Sequence, residues 1–198
     1  MNQRCRSAAA VLTTTLVLSG LSAPPGTAGS AVETSAAAKQ VRIIKPAKVG
    51  KAKVGMTVKQ AMATGQFNKN VPNPPCGPIK LQPKQPFKNA YSVFVNDDDR
   101  IIEMNVTGTR PRTSHGLRLG STYRQVKEAY GEGLSEPTEV GYLQWGVYAG
   151  VGEGADRRWI GFLFGEAFPD DGPLRGKDEV TLVGVTKGER PALMMDGC

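Results

Sequence analysis

Two stretches, sixty-five residues apart, carry the same signals in the same order. Residues 53–66 read KVGMTVKQAMATGQ, and residues 118–132 read RLGSTYRQVKEAYGE. Thr57 stands three residues before Gln60, and Thr122 three before Gln125. That is capping-box spacing, in which the threonine oxygen accepts from the third helical amide and the glutamine reaches back to the cap. Val58, Ala61 and Met62 then share a helical face, as do Tyr123, Val126 and Tyr130. Gly65 and Gly131 close the two runs where a helix C-terminus favours glycine. The spacing predicts two short helices. Each is below the ~12–15 residues at which an isolated helix becomes marginally stable, so each needs packing to hold it.

Apolar alternation follows each helix. YSVFVNDDDRIIEMNVTG reads as a β-hairpin around Asp97, Asp98 and Asp99. The second half offers YLQWGVY, RWIGFLFGE and DEVTLVGVTKG, three strands. The expected fold class is therefore α+β, with two tandem units of short helix packed on antiparallel β-sheet. The expected boundaries are 1–30 for a signal peptide, 31–49 for a basic flexible lead-in, 50–112 for the first repeat and 113–198 for the second. Within the first repeat, VPNPPCGPIKLQPKQP packs six prolines into sixteen residues and reads as an irregular loop.

The phrase VGMT, followed by Gln60 and the helix-ending Gly65, resembles the opening of SmpA/BamE-like domains. Written twice in tandem, it resembles the β-lactamase inhibitory protein family. The resemblance covers residues 50–190 in outline and implies helices laid on antiparallel sheet. It also implies an inhibitor-like module that presents a carboxylate-bearing hairpin loop to an enzyme, which falls here on Asp97, Asp98 and Asp99. Those inhibitors carry a disulfide within each repeat, whereas this chain has one candidate pair.

The N-terminus points to export. Arg4 and Arg6 precede a mostly apolar run from Ala8 to Leu21, and small residues and prolines follow. That is the order of a secretory signal peptide. The run is shorter than the ~20 residues a bilayer span requires. Ser30, Ala31 and Ala38 are candidate cleavage positions. Cleavage after Ser30 leaves 23 Lys and Arg against 18 Asp and Glu. It also leaves two cysteines, Cys76 and Cys198, which in an oxidising compartment read as one disulfide. No membrane span is expected in the mature chain, and the location is extracellular or in the cell envelope.

No catalytic constellation emerges, so no enzymatic activity, cofactor or metal site is expected. His115, the one histidine, sits in RTSHGLRLG beside Ser114 and reads as a polar linker. Asp97, Asp98 and Asp99 are consecutive, whereas calcium loops alternate their acids. They read as a solvated turn or as a loop presented to a partner. Gly150, Gly152 and Gly154 join two strands, so they do not make a phosphate cradle at a helix start. Alternation puts Leu143, Trp145 and Val147 on one sheet face and Tyr142, Gln144 and Tyr148 on the other. Trp145 is expected in the core. Tyr142 and Tyr148 are candidates for partner contact. The expected partner is an extracellular or envelope protein. The alternative is an anionic cell-wall polymer bound by the lysine-rich run from Lys39 to Lys59, and in either case not nucleic acid.

Overall fold

The computed structural model describes residues 41–72, 78–141, 144–165 and 172–193, and these belong to one compact unit spanning Lys39–Cys198. Strands β1 (Ile43–Lys45), β2 (Lys48–Val49) and β3 (Ala52–Lys53) form a tight meander, followed by helix α1 (Val58–Ala63). Strands β4 (Phe67–Pro72) and β5 (Pro78–Pro83) make a two-stranded sheet of their own. Strands β6 (Tyr91–Val95) and β7 (Ile101–Val106) form the predicted hairpin. Strand β8 (Arg112–Thr113) pairs in parallel with β1 and completes a four-stranded sheet. Helix α2 (Tyr123–Tyr130) and strands β9 (Thr138–Val140), β10 (Gln144–Val151), β11 (Arg158–Phe164) and β12 (Val180–Lys187) follow.

Six of these strands build the main sheet, in the order β6-β7-β12-β11-β10-β9. Its centre joins the two halves of the chain. Strand β7 of the first half pairs antiparallel with β12 of the second, Met104 facing Val185 and Glu103 facing Thr186.

The α+β expectation is corrected. Among the described residues the protein is mostly β, with 43% in strands, 15% helical and three separate sheets. Helix α1 has six residues, less than two turns, and α2 has eight. Two segments account for much of the difference. The prolines of the VPNPPCGPIKLQPKQP stretch were expected to prevent strand formation. Instead Pro72, Pro78 and Pro83 stand at strand ends, and Phe67–Pro72 pairs with Pro78–Pro83 around them. A terminal proline in a two-stranded sheet costs few ladder bonds. In the basic lead-in, Ile43–Lys45 and Lys48–Val49 are strands whose Ile44 and Val49 are fully buried.

The repeat itself survives in the hydrogen bonds. In the first half the Gly55 amide donates to the Ile101 carbonyl, the Ile101 amide to Met56, and the Val58 amide to Asp99. In the second half Gly120 donates to Val180, Val180 to Ser121, and Tyr123 to Asp178. Both capping boxes are complete. Each helix start is thereby stitched to the first residues of its central strand.

One face of the main sheet carries Met104, Val106, Val147, Ile160, Phe162, Val183 and Val185 into the larger core, which also takes Ala61 and Val126 from the helices. The Tyr123 ring meets Phe164 edge-on at 5.5 Å between centroids. The other face holds a smaller cluster of Tyr148, Trp159, Leu163, Leu182 and Leu193.

Candidate functional site

Register brings three segments to one end of the main sheet. Reading across it, Val151 faces Arg158, Arg158 faces Lys187, and Thr186 faces Glu103. The turn of the β6–β7 hairpin, the connection from β10 to β11, and the end of β12 therefore lie together. An open cavity of about 730 Å³ sits here, lined among others by Ile102, Glu103, Ala155, Lys187, Glu189 and Arg190. Ile102 is 48% exposed and Val151 52% exposed, the two most exposed large apolar side chains among the described residues.

A β-bulge makes Ile102 available. The β6–β7 register shifts between Phe94 and Val95, so Val95 faces Ile101 and Phe94 faces Glu103. Ile102 is the extra residue, and a bulge re-aims a side chain in this way. Ile101 stays fully buried.

Glu103 is half-buried in the cavity wall. Burial pushes its carboxyl above the usual carboxylate range, against hydrogen bonds from the Ala192 backbone and the Asn105 side chain. Its Oε1 is covered and finds no hydrogen-bond donor among the described residues. Across the cavity, Lys187 Nζ pairs with Asp156 Oδ1 at 2.6 Å, and this bond holds Asp156 below its ordinary value.

The connection between β10 and β11 is a 3-10 turn over Gly154–Asp156, a strand-to-strand loop as its glycines indicated. Gly150 has a packing role. A Cβ there would lie 2.8 Å from the Trp159 ring and against Arg157, whose guanidinium stacks on that ring at 4.1 Å. Arg190 covers the indole at 5.3 Å and Tyr148 at 5.0 Å.

The sequence-derived candidates fall in different places. Asp97, Asp98 and Asp99 are exposed at the β6–β7 turn, at this same end of the sheet. Asp99 adopts φ 56° and pairs with Lys80 at 2.8 Å, and its carbonyl receives the first helical amide of α1. Asp99 thus serves the turn, while Asp97 and Asp98 project at its tip. Tyr148 is 5% exposed, on the opposite sheet face from Val147, beneath Arg190. Burial, opposed by Arg190, raises its hydroxyl pKa. Tyr142, Cys76 and Cys198 lie outside the described residues. Trp145 is half-buried outside both apolar clusters and donates to the Gly172 carbonyl at 3.0 Å. His115 is exposed, with its ring 4.9 Å from that of Tyr130, whose hydroxyl burial raises to about 12. Among the described residues no three His, Cys, Asp or Glu side chains converge as metal ligands.

Sequence reasoning missed Ile102 and Glu103. In the sequence they read as ordinary members of an alternating strand, and only the bulge sets them apart.

The fold and this surface define a mostly-β protein with an open, partly apolar cavity at one sheet end. No family model matches the chain, and no curated protein matches it. Among solved structures it is similar to the uncharacterized protein yfeY from Escherichia coli, at 14% identity and a TM-score of 0.39, covering 75% of this chain and 95% of that one. Among the described residues no helix is long and apolar enough to cross a membrane.

Proposed function

We propose that this is an exported, non-enzymatic binding module, inhibitor-like in manner, that engages an extracellular or envelope protein through the end of its main sheet. One observation carries the reading. Ile102 and Val151, the most exposed large apolar side chains among the described residues, stand at the same end as an open cavity and the exposed Asp97 and Asp98. Apolar side chains within a polar rim are the composition of a protein–protein contact. Export rests on the N-terminal signal pattern. The inhibitor-like manner rests on the resemblance of the repeated helix opening.

Capture from culture supernatant by the immobilised secreted protein tests it. Wild type is expected to retain a discrete partner. Ile102→Asp and Val151→Asp are each expected to weaken that capture at least tenfold with little change in melting temperature, since both side chains are about half in water. The reading fails if no discrete partner is captured, or if capture ignores both substitutions.

A further inference from the structure

From Thr34 to Asn96 the chain carries eleven Lys and Arg and not one Asp or Glu. The fold draws part of this charge into a line. In the β1–β2–β3 meander Lys45 faces Lys48, and Lys48 faces Lys53. The alternate positions Ile44, Val49 and Ala52 are fully buried, so the three lysines stand together on the outer face, and Lys51 is exposed at the turn beside them. Neighbouring strands are ~4.8 Å apart, so the row sets three ammonium-bearing stems within ~10 Å at the backbone. Like charges directly opposite one another weaken a sheet.

The platform is nonetheless firmly held. Buried Gln66 accepts from the Lys51 amide at 2.6 Å and from Arg42 Nη1 at 2.8 Å, and donates to the Val49 carbonyl at 3.3 Å. The Ala47 amide donates to the Trp159 carbonyl at 3.1 Å. Left-handed residues, Ala47 at φ 56° and Gly50 at φ 61°, make the two tight turns. Arg42 is committed inward, stacked over Phe87 at 4.8 Å. Among the described residues none of Lys45, Lys48, Lys51 and Lys53 is in an ion pair.

A row of lysines with no ion-pair partner among the described residues is costly alone and favourable beside closely spaced anions. We infer that the outer face of β1–β3 is a binding site for a linear phosphodiester polymer, with Lys45, Lys48 and Lys53 as its contacts. Lysine engages phosphate as a compact point charge and needs no bidentate geometry. The site is independent of the cavity at the sheet end.

Binding of poly(glycerol phosphate) to the secreted protein, followed across a salt series, tests this. Phosphatidylglycerol vesicles make the second arm, because lipid headgroups present the same chemistry. Each lysine–phosphate contact adds somewhat under one unit to the slope of log affinity against log salt. The Lys45→Gln, Lys48→Gln, Lys53→Gln triple variant is expected to bind the polymer at least tenfold more weakly, with the slope reduced by about two. Its melting temperature should stay level or rise. A control changes three exposed basic residues outside these strands, Arg118, Lys127 and Lys177, to Gln, and is expected to keep most of the binding. Equal losses in the two variants would mean net charge alone, and would overturn the site. So would binding to vesicles but not to the free polymer, or no polymer binding at low salt.

Discussion

Gly161 and Gly184 face one another on adjacent central strands, and the space left by their missing side chains is filled by the C-terminal segment. A Cβ at Gly161 would lie 2.8 Å from Pro191 Cγ, and one at Gly184 would lie 2.8 Å from Pro191 Cβ and 2.9 Å from Leu193 Cδ2. Leu193 is 1% exposed in this trough, and Trp159 Nε1 donates to the Gly188 carbonyl at the entry to the segment. Seating the Pro191 and Leu193 side chains this closely on the sheet requires the floor to be glycine.

Gly184→Ala should therefore displace the segment. Its φ is not in the left-handed region, so the effect is packing and not backbone strain. Overpacking of this kind costs ~1–3 kcal/mol. Urea unfolding should report that loss, and limited proteolysis should show earlier cleavage near residues 189–193. A stability unchanged within ~0.5 kcal/mol would mean that the segment yields freely and is not part of the fold's closure.

Helix caps give a second prediction. Thr57 Oγ1 accepts from the Gln60 amide at 3.2 Å, and Thr122 Oγ1 accepts from Gln125 at 3.4 Å. Thr57→Ala and Thr122→Ala should each cost ~1 kcal/mol. The two caps lie in separate repeats, so the double variant should lose close to the sum. Two neutral single variants in denaturant melts would mean that the short helices are held by the strand stitching alone.

The legible part of the fold was local. Capping boxes, hairpin alternation around Asp97–Asp99 and the strand nature of 158–164 are set by residues within reach of one another. The class was misread because buried apolar residues at alternate positions were hidden between lysines. Ile44, Val49 and Ala52 look minor in a stretch dominated by charge, yet they make strands once the main sheet is there to cover them. The proline-rich stretch misled for a similar reason, since Pro72, Pro78 and Pro83 fall at strand ends and residues 79–82 between the last two stay free to pair. Leu193 could be foreseen as a docking residue from its apolar character near the end of the chain. Its receptor could not, because Gly161 and Gly184 become a trough only through the register of strands over twenty residues apart in sequence.

Cys76 and Cys198 should be joined in the exported protein. They are the cysteines that cleavage of the proposed signal peptide would leave, 122 positions apart. A bond closing a loop of that length stabilises by up to ~4–5 kcal/mol in the chain-entropy view. Cys198→Ser should lower the melting temperature and leave partner capture intact. Intact mass after alkylation, with and without reductant, checks the bond, and two free thiols in freshly secreted protein would refute it.

Glu103 should make stability depend on pH in a direction opposite to most carboxylates. Burial under the C-terminal segment raises its folded-state pKa, and the Ala192 amide and the Asn105 side chain only partly offset this. A carboxyl whose pKa is higher folded than unfolded favours folding in its protonated form. Its contribution is fully present below the ordinary carboxylate range and is lost as pH rises through the raised folded value. Asp156 acts the other way, because Lys187 lowers its pKa and its contribution is lost as pH falls. Comparing wild type with Glu103→Gln removes Asp156 from the difference, since both proteins keep it. Arg190, Lys187, Glu189 and Tyr148 surround the same position and are likewise common to both. The variant should therefore gain on wild type as pH rises from the acid range toward neutrality, and the gap should level off once Glu103 is ionised. Urea midpoints across that range measure it. A gap that stays constant, or that closes with rising pH, would show that Glu103 is ionised at least as readily beneath the segment as in the unfolded chain.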